Sequence, residues 1–421
     1  MSFCIPVPHF LQNNRMLLML ARGIERLHLH AWGFCLLIGA FPFFQLSQHP
    51  TILLLSMYLL VLGMFIILAL CREEILLDGY DLLVLAFLFW QMLIGVAANR
   101  SLEHAVVVSV LLSVWFPARR FWEAWGEKRL VFFSSLSLLV ASALGVGQYA
   151  FGKAELRWVD VTRFGDIGGR VTSFFSNPNI FAIYLLLCFP LPLWADFQKD
   201  EKGRARLFYI TASVLCAGSI LLTWSRGAWL GLFVQCLLFL LCYSKKSRRA
   251  IAWLLPIVLL SIPLLPHSFQ NRLFSIADVW ESSNRYRLQT WQGTWRMICA
   301  HPFGIGIGEE AWRAVYPRYA VMGTATVPHA HNVFLQVVAE VGGVGLLLFA
   351  VLVVLSIRKA FRQRRFAAVS ALLGALVMGM FDHLWYFEGM LLLFGTTLAF
   401  CIPGEHQVTK NGHFVDILHE N

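Results

Sequence analysis

The chain has 421 residues, of which 58% are hydrophobic and only 14% are charged, whereas soluble domains carry roughly 25% charged residues. This depletion of charge, combined with many long apolar runs, excludes an ordinary soluble domain and predicts an all-α, polytopic integral membrane protein. The net charge of +10 would suit an anionic partner, but most of it follows the rules of membrane topology, so nucleic acid is not expected as a partner.

Twelve apolar segments lie along the chain, and each approaches the roughly 20 residues that a helix needs to cross a bilayer. They lie near 31–46, 51–70, 81–97, 104–118, 130–151, 177–195, 207–224, 227–243, 250–266, 332–356, 366–381 and 384–402. The first follows a polar start with scattered arginines, so we expect a cytoplasmic N-terminus without a cleavable signal peptide. We therefore predict about 12 transmembrane helices in a single membrane domain, residues 1–421.

Lysine and arginine residues set the orientation of these helices, because such residues are enriched in cytoplasmic connections. With the N-terminus inside, every even-numbered connection carries a basic residue, and four of these five connections carry clusters. Most of the 34 basic residues then fall on the cytoplasmic side. The alternation predicts that both termini are cytoplasmic.

One predicted extracytoplasmic loop, residues 267–331 between spans nine and ten, is far longer than any other connection. Loops of this length inside compact proteins are usually functional. Four of its apolar positions follow the spacing of an amphipathic helix suited to the membrane–water boundary: Leu288, Trp291, Trp295 and Ile298. The GIGIG stretch after Pro302 predicts a turn, since it lacks the strand and spacing of a dinucleotide fingerprint. We expect this loop to form part of the active site.

Arg226 is the only charged residue between 207 and 243. An arginine within an apolar stretch is unfavourable in a membrane and is therefore a candidate functional residue. It lies at the join of spans seven and eight, where Gly227 can interrupt the helix, so we place it near the outer boundary of the hydrocarbon. For Arg226 alone, extension of the side chain to the lipid headgroups is the alternative explanation.

Other polar groups are predicted on the same outer side. They are Arg170, Asn177 and Asn179 before span six, Arg287 in the long loop, and His331 and Glu340 at the start of span ten. Glu340 would lie about 13 Å deeper than His331 in a helix, so we expect a His or Arg partner for its carboxylate. For His331 alone, an interfacial histidine bonded to the backbone is the alternative.

Several arginines with one histidine suit the chemistry of a lipid-linked diphosphate. Arginine forks bind phosphate oxygens in bidentate geometry and can stabilise the charge of a diphosphate leaving group. A neutral histidine can accept the proton of an attacking hydroxyl. The nine cysteines form no C-x-x-C pair, and the pattern contains neither a carboxylate pair nor a metal cluster. We therefore predict no metal and no cofactor.

Four motifs resemble the O-antigen ligase and O-antigen polymerase superfamily of bacterial membrane glycosyltransferases. They are GRVTSFFSNPN before span six, TWSRGAWLG at the join of spans seven and eight, RLQTWQGTWRMICAHPFGIGIG in the long loop and HNVFLQVVAEVGGVGLLLF at span ten. The motifs cover about residues 165–350, and the likeness in topology extends over the whole chain. Each motif is loose by itself, whereas their order and spacing together are fairly specific.

The resemblance implies that a glycan is transferred from undecaprenyl diphosphate to an acceptor hydroxyl at the outer face of the bacterial cytoplasmic membrane. The implied reaction is inverting and independent of metal, and its implied partners are the lipid-linked donor, a glycolipid or glycan acceptor and the bilayer. The resemblance maps the catalytic base onto His331 and the catalytic, diphosphate-binding arginines onto Arg226 and Arg287.

Two neighbours compete for these roles. His329 competes with His331, and the asparagine that follows His331 favours His331 as the base. Arg285 competes with Arg287, and the spacing to Trp291 favours Arg287. The residues expected to bind substrate beside the catalytic ones are Arg170, Asn177, Asn179, Arg285, His329 and Glu340.

The acceptor remains open at this stage. A ligase moves the finished glycan to a lipid A core in lipopolysaccharide biosynthesis, a polymerase moves it to another lipid-linked repeat, and protein glycosylation is a third class. We favour a ligase because such chains are usually described by that name. A bicarbonate transporter or an assembly scaffold is less favoured, because the ionisable groups gather at the outer end of the spans and no repeat relates the two halves.

Overall fold

A computed structural model describes residues 3–6, 50–71, 74–98, 102–156, 169–197, 203–243, 262–383 and 387–402. Two four-residue strands, β1 (Phe3–Pro6) and β2 (Glu74–Leu77), pair in antiparallel register. The rest of the regular structure is helical, which confirms the predicted all-α class. The segment predicted at 31–46 and most of that at 250–266 lie outside the described residues.

Fourteen α-helices occur within the described ranges. In chain order they are α1 (Pro50–Cys71), α2 (Gly79–Ala97), α3 (Leu102–Leu112), α4 (Trp115–Ala150), α5 (Pro178–Cys188), α6 (Pro190–Phe197), α7 (Arg204–Leu222), α8 (Arg226–Tyr243), α9 (His267–Phe274), α10 (Ser282–Ala300), α11 (Glu309–Val315), α12 (Val333–Arg362), α13 (Phe366–Gly379) and α14 (Glu388–Cys401). Two 3-10 helices lie at Ile262–Leu264 and Tyr316–Arg318.

Six helical stretches in the described part of the chain are long and apolar enough to cross a membrane. They are Gly79–Ala97, Leu102–Arg120, Val131–Ala150, Pro178–Ala195, Arg204–Leu222 and Val333–Arg362. Four shorter apolar helices accompany them, at Leu54–Ile66, Arg226–Cys242, Phe366–Gly379 and Gly389–Cys401. The protein is therefore a multi-pass membrane protein.

The segment predicted at 104–118 is interrupted by a proline. Helix α3 ends at Leu112, and α4 begins at Trp115 and continues without a break to residue 150. Pro117 has no N–H to donate to the preceding turn, so the first helix cannot pass through it, and the second restarts with this proline in its first turn. The predicted connection at 119–129 lies within this helix, so the segments 104–118 and 130–151 are joined by helical residues.

Two further breaks divide the apolar segments. The segment predicted at 177–195 splits into α5 and α6, and Pro190 is the first residue of α6. Helices α7 and α8 separate at residues 223–225, where the predicted join lies and where Trp224 adopts a positive φ of 52°.

One end of the helix bundle is held by a buried network of charges. The Arg119 guanidinium lies 2.6 Å from Asp81 Oδ1 and 2.7 Å from Asp78 Oδ2. Arg120 Nη2 lies 2.8 Å from the second oxygen of Asp81. Arg119 Nε also donates to the carbonyl oxygen of Ile402 at 2.6 Å. The beginnings of α2 and α4 and the end of α14 therefore meet at this end of the bundle.

Helices α8 and α13 pack with their backbones in close contact. A side chain at Gly231 would lie 2.7 Å from the carbonyl oxygen of Gly374 and 2.9 Å from Leu186 Cδ1. Gln235 of α8 lies against Gly374 and donates to the carbonyl oxygen of Leu186 at 2.6 Å. Small residues permit such close approach between helices. The pairing holds Arg226, at the start of α8, beside the end of α13.

Residues 267–331 contain three α-helices, α9, α10 and α11. Helix α10 lies where the sequence predicts an amphipathic helix. The face of α10 that is buried carries Thr290, Thr294 and Met297. Leu288 and Trp295, from the predicted apolar stripe, are 45% and 60% exposed. Trp291 is half-buried and Ile298 is buried, so only part of the predicted stripe points away from the protein, where it could meet a membrane–water boundary.

The glycine-rich turn after α10 rests on a kink in α12. Its three glycines have φ values between 98° and 100°: Gly304, Gly306 and Gly308. Gly342 interrupts α12 with a φ of 70°, and the N–H of Gly343 donates to the carbonyl oxygen of Pro302 at 3.1 Å. A side chain at Gly304 would overlap the carbonyl oxygen of Glu340. Glycine is therefore required on both sides of this contact.

Candidate active site

A cavity of about 500 Å³ opens where several helix ends meet. Its wall is formed by residues before and within α5, by the join of α7 and α8, and by residues of α9 and α10 and between them. His331, which precedes α12, and residues at the end of α13 complete the wall. The ionisable side chains on this wall include Arg170, Arg226, Arg272, Glu281, Arg287, His331 and Asp382. Groups from distant parts of the sequence therefore converge on one site.

Arg226 is the first residue of α8 and is buried in spite of its charge. Its Nη2 lies 2.8 Å from Glu281 Oε2, and its Nη1 donates to the carbonyl oxygen and the hydroxyl of Ser275, both at 3.0 Å. The Glu281 carboxylate also caps α10 by accepting from the N–H of Asn284 at 2.9 Å. These contacts hold the guanidinium inside the protein, so the Arg226 side chain does not extend to the lipid headgroups.

Aromatic packing fixes α9 against the join of α7 and α8. The rings of Trp224 and Phe269 lie 4.3 Å apart, and Trp229 stacks on Phe269 at 5.7 Å. Arg272, on the last turn of α9, donates from Nε and Nη2 to the carbonyl oxygen of Trp224 at 3.2 and 3.1 Å. This docking brings a further arginine to the cavity.

Arg170 is a buried cation beside the same join. Its Nε donates to the carbonyl oxygen of Thr223 at 2.6 Å, and its Nη2 donates to Asn179 Oδ1 at 2.8 Å. Burial, and after it the positive charges of Arg272 and Arg287, lower the pKa of Arg170 to about 9. Both causes penalise an uncompensated cation, so an anion in the cavity would stabilise the charged form.

Arg287 lies on the face of α10 that borders the cavity. Its Nε donates to the carbonyl oxygen of Phe381 at 2.9 Å, and its Nη1 donates to Ser283 Oγ at 2.8 Å. Burial lowers the pKa of Arg287. Arg285 precedes it by two residues, which is about 200° around a helix, and its side chain is exposed. The geometry therefore places Arg287, and not Arg285, on the cavity wall.

His331 is paired with a carboxylate that follows α13. Its Nδ1 lies 3.4 Å from Asp382 Oδ1, and its backbone has a positive φ of 49°. Burial alone would raise the pKa of Asp382, but the hydrogen bond and charge of His331 hold it well below its usual value. With Nδ1 directed at a carboxylate, Nε2 is the ring atom that can accept a proton. The side chain of Asn332 caps α12 directly after His331.

His329 and His383 lie close to this pair. The ring centroid of His329 is 4.3 Å from that of His331 and 5.0 Å from that of His383. Burial, followed by the charge of His331, lowers the pKa of His329 to about 3, so His329 is neutral at physiological pH. The ligating atoms of His329, His331 and Asp382 lie within 4.8 Å of one another. Such a set could hold a transition metal ion, although the sequence pattern predicts none.

Two other residues predicted to bind substrate have structural contacts outside the cavity wall. Asn177 caps α5, where its side chain accepts from the N–H of Asn179 at 2.8 Å. Glu340 Oε1 accepts from the N–H of Gly308 and from Gln336 Nε2, both at 3.0 Å. These contacts order the start of α5 and the glycine-rich turn.

Residues 211–350 match the family described as O-antigen ligase. The matched residues are one third of the chain and are similar to that family over this range. No curated protein matches the chain. The family match confirms the resemblance to the O-antigen ligase and polymerase superfamily, whose members are membrane enzymes with glycosyltransferase-like activity.

The matched domain, residues 211–350, contributes most of the cavity, but not all of it. Arg226, Arg287 and His331 fall within the matched range, whereas Arg170 and Asp382 lie on either side of it. The complete site therefore requires helices from both flanks of the domain.

Three charged residues of the site were not among the predicted site residues: Arg272, Glu281 and Asp382. Arg272 belongs to the basic residues of the long loop, and nothing in its local sequence distinguishes it from its neighbours. Asp382 could have been found, because FDH follows an apolar segment on the predicted outer side in the same way that SRG does. A polar residue at such a helix end is a candidate for function.

Proposed function

We propose that this protein is an O-antigen ligase-like glycosyltransferase that moves a glycan from undecaprenyl diphosphate to an acceptor hydroxyl, such as that of a lipid A core. The observation that carries the proposal is the convergence of four arginines and the His331–Asp382 pair on one cavity. Guanidinium groups bind phosphate oxygens through parallel hydrogen bonds. The cavity combines this capacity with a candidate base.

The charge balance of the cavity suits a diphosphate. Its four arginines face the carboxylates of Glu281 and Asp382, which leaves two positive charges in excess when His331 is neutral. A diphosphate diester brings two negative charges. Arginines held in place before the substrate arrives can stabilise the charge that develops on the leaving group without reorganisation. The pKa of Arg170, lowered by burial and then by its cationic neighbours, would rise again when the diphosphate binds.

His331 is the proposed general base. The acceptor hydroxyl would give its proton to Nε2 of His331, and its oxygen would attack the anomeric carbon of the donor sugar. The bond from that carbon to the diphosphate breaks, and undecaprenyl diphosphate leaves with the electron pair, held by Arg226 and Arg287. Attack opposite the leaving group inverts the anomeric centre. Asp382 would orient the ring and stabilise the imidazolium that forms.

We also propose twelve spans in the bacterial cytoplasmic membrane, with both termini in the cytoplasm and the cavity facing outwards. Two observations support this orientation. The network around Arg119 joins connections that are all predicted to be cytoplasmic. The cavity gathers helix ends that are all predicted to be outside. The segment 267–331 would then be the long outer loop between spans nine and ten.

Variants of the site test the assignment of roles. His331→Ala should abolish transfer from a synthetic undecaprenyl diphosphate donor in the purified, folded protein, since an oriented base contributes roughly 10²–10⁴-fold. Arg226→Lys and Arg287→Lys should also fail, because lysine lacks the planar fork. Arg285→Lys is the matched control on α10 and should retain activity. Normal turnover of the His331 variant would refute the assignment of the base.

The identity of the acceptor is tested by deleting the gene and examining the surface polysaccharide ladder. Loss of long chains from the lipid, with carrier-linked polymer retained, would indicate a ligase. A ladder reduced to a single repeat would indicate a polymerase of the same superfamily. A transporter is the remaining alternative, and uptake of radiolabelled bicarbonate into proteoliposomes, with no glycan transfer, would favour it.

A further inference from the structure

A second cavity, here called the basal cavity, lies between α4, α5, α6, α13 and α14 at the turn that joins α12 to α13. Its volume is about 260 Å³, and it shares no lining residue with the active-site cavity. Helix α13 links the two, since Ala371 lines the basal cavity and Met378 lines the active site. These residues lie about 10 Å apart along the helix. The basal cavity is therefore a separate feature of the molecule.

The inner wall of the basal cavity is largely apolar, and three of its residues carry buried hydroxyls: Ser134, Thr396 and Thr397, of which Thr397 donates to the carbonyl oxygen of Leu393. Leucine side chains and Phe400 form much of the surface. Ser134 and Thr396 also line it, are only 1% and 2% exposed, and have hydroxyl oxygens without a hydrogen-bond partner among the described residues. A buried hydroxyl without a partner is unfavourable. Both hydroxyl oxygens are closed to the cavity as the side chains stand, so rotation of the side chains towards the cavity would let them donate to the oxygen acceptors of a ligand.

The rim of the basal cavity is cationic. Arg364 and Arg365 line it, and Arg364 is exposed. Arg365 Nη1 lies 3.5 Å from the carbonyl oxygen of Phe400, at the end of α14. Arg364 has a positive φ of 59°, in a turn after a helix end where glycine is the usual residue. No Asp or Glu occurs among the described residues that line the cavity, so an anionic group at the rim would meet the positive charges of Arg364 and Arg365.

We propose that the basal cavity binds one anionic phospholipid. Its phosphate would contact Arg364 and Arg365, its ester carbonyl oxygens would accept from Ser134 and Thr396, and the first part of an acyl chain would pack on the apolar wall. Basic pockets between membrane helices bind anionic headgroups on the cytoplasmic side, which is the side predicted for this turn. The volume lies below the roughly 300–1,000 Å³ of pockets that enclose a whole small molecule, which suits a lipid whose chains extend into the bilayer.

This inference goes beyond the proposed glycan transfer and does not depend on it. It involves neither His331 nor the arginines of the active-site cavity. A failure of the lipid experiment would leave the transfer reaction untouched, and the reverse also holds.

The experiment measures lipid retention by native mass spectrometry of the full-length protein, with phosphatidylglycerol and phosphatidylcholine supplied in equal amounts. Arg364→Gln/Arg365→Gln is compared with Arg358→Gln/Arg362→Gln, a control that removes two exposed charges from the last turns of α12 outside the cavity. We expect the unaltered protein to retain one phosphatidylglycerol in preference to phosphatidylcholine. The cavity variant should lose about tenfold in retention because two charge-assisted contacts are removed, and the control should change little.

Three results would overturn the proposal: equal retention of the two lipids, equal loss in both double variants, or displacement of the lipid by free glycerol phosphate, which would reveal a site for soluble anions. Thr396→Val keeps the shape of the side chain and covers the case in which the double variant does not fold. It should reduce retention of phosphatidylglycerol without lowering Tm, and unchanged retention would remove the hydroxyl contacts from the proposal.

Discussion

Asp382 is the residue that gives His331 a defined orientation. Removing its charge with Asp382→Asn should lower kcat roughly 10²–10⁴-fold, because the amide neither favours the required tautomer nor stabilises the imidazolium. The pKa of Asp382 lies well below its usual value, so the carboxylate is charged at every working pH. Loss of this negative charge should move the acid limb of the pH–rate profile to lower pH.

The comparison variant for this prediction is Asp382→Glu, which keeps the charge and should recover part of the rate. The readout is a pH–rate profile of glycan transfer, together with a thermal unfolding curve for each variant. An Asp382→Asn enzyme with an unaltered profile and an unaltered rate would show that the carboxylate is merely structural.

The three possible metal ligands, His329, His331 and Asp382, give a second prediction at this scale. Transfer should be unaffected by EDTA, because the proposed base needs a free lone pair on His331. Added Zn²⁺ should inhibit, since the ligating atoms of His329, His331 and Asp382 are close enough to bind it. His329→Gln should weaken this inhibition, because it removes one ligand. Loss of activity in EDTA that is restored by a metal would contradict the metal-independent reaction.

Single residues also show how far the sequence could lead. Arg226 could be predicted because a lone charge in an apolar run is anomalous by itself. The pairing of Asp382 with His331 could not, since the two residues are 51 positions apart and meet only because α12 and α13 pack side by side. The role of Glu281 as the partner of Arg226 depends in the same way on the fold of the 267–331 segment.

The close contact of α8 and α13 makes a prediction at the scale of helices. Gly231→Ala would place a methyl group 2.7 Å from a backbone carbonyl oxygen of α13, so the helices must separate. We expect a loss of about 1–3 kcal/mol in stability, as for other overpacked sites, and reduced transfer, because Arg226 and Asp382 lie at the ends of these helices.

Gly218→Ala provides the matched control for this substitution. Gly218 lies in α7, and an added Cβ would meet nothing within 4 Å, so alanine should leave the protein as stable or raise its stability by up to about 1 kcal/mol through helix propensity. Both variants can be compared by thermal unfolding in detergent. Equal Tm values for the two variants would rule out close packing at Gly231.

Helices were the part of the fold most accessible to prediction, because long apolar runs leave few alternatives in a membrane. Their interruptions were less accessible. Pro117 and Pro190 lie inside segments that composition alone joins together, and whether a proline kinks or ends a helix depends on its surroundings. In α10 the apolar spacing located the helix, while the exposure of Leu288 and Trp295 emerged only from the packing of the opposite face.

The orientation of the whole molecule can be tested with a native cysteine. Cys299 lies near the end of α10 and is exposed, on the side proposed to face outwards. A membrane-impermeant maleimide should label it in intact spheroplasts, and Cys299→Ser should remove that labelling. In the Cys299→Ser background, Arg362→Cys at the other end of α12 should react only after permeabilisation. Labelling of both positions from the same side would overturn the proposed topology.

At this largest scale the sequence predicted which helix ends share a side of the membrane, but not which of them touch. Alternating basic connections assign the sides. The helix ends that meet around Arg119 are all predicted to be cytoplasmic, and those that meet at the active-site cavity are all predicted to be outside. The neighbours around the cavity follow from three-dimensional packing of α5, α8, α10, α12 and α13. A pattern of charge along one chain carries no information about that arrangement.

The Glu281 carboxylate would compete with the diphosphate of the donor for the Arg226 guanidinium, because the two side chains already form an ion pair. If Arg226 binds the diphosphate, its ion pair with Glu281 would weaken, and the carboxylate would keep its cap on α10. After the sugar has been transferred, the Glu281 carboxylate would pair with Arg226 again, and this would favour release of undecaprenyl diphosphate. Binding and release of the lipid carrier would thus be coupled to the contact between α10 and the start of α8.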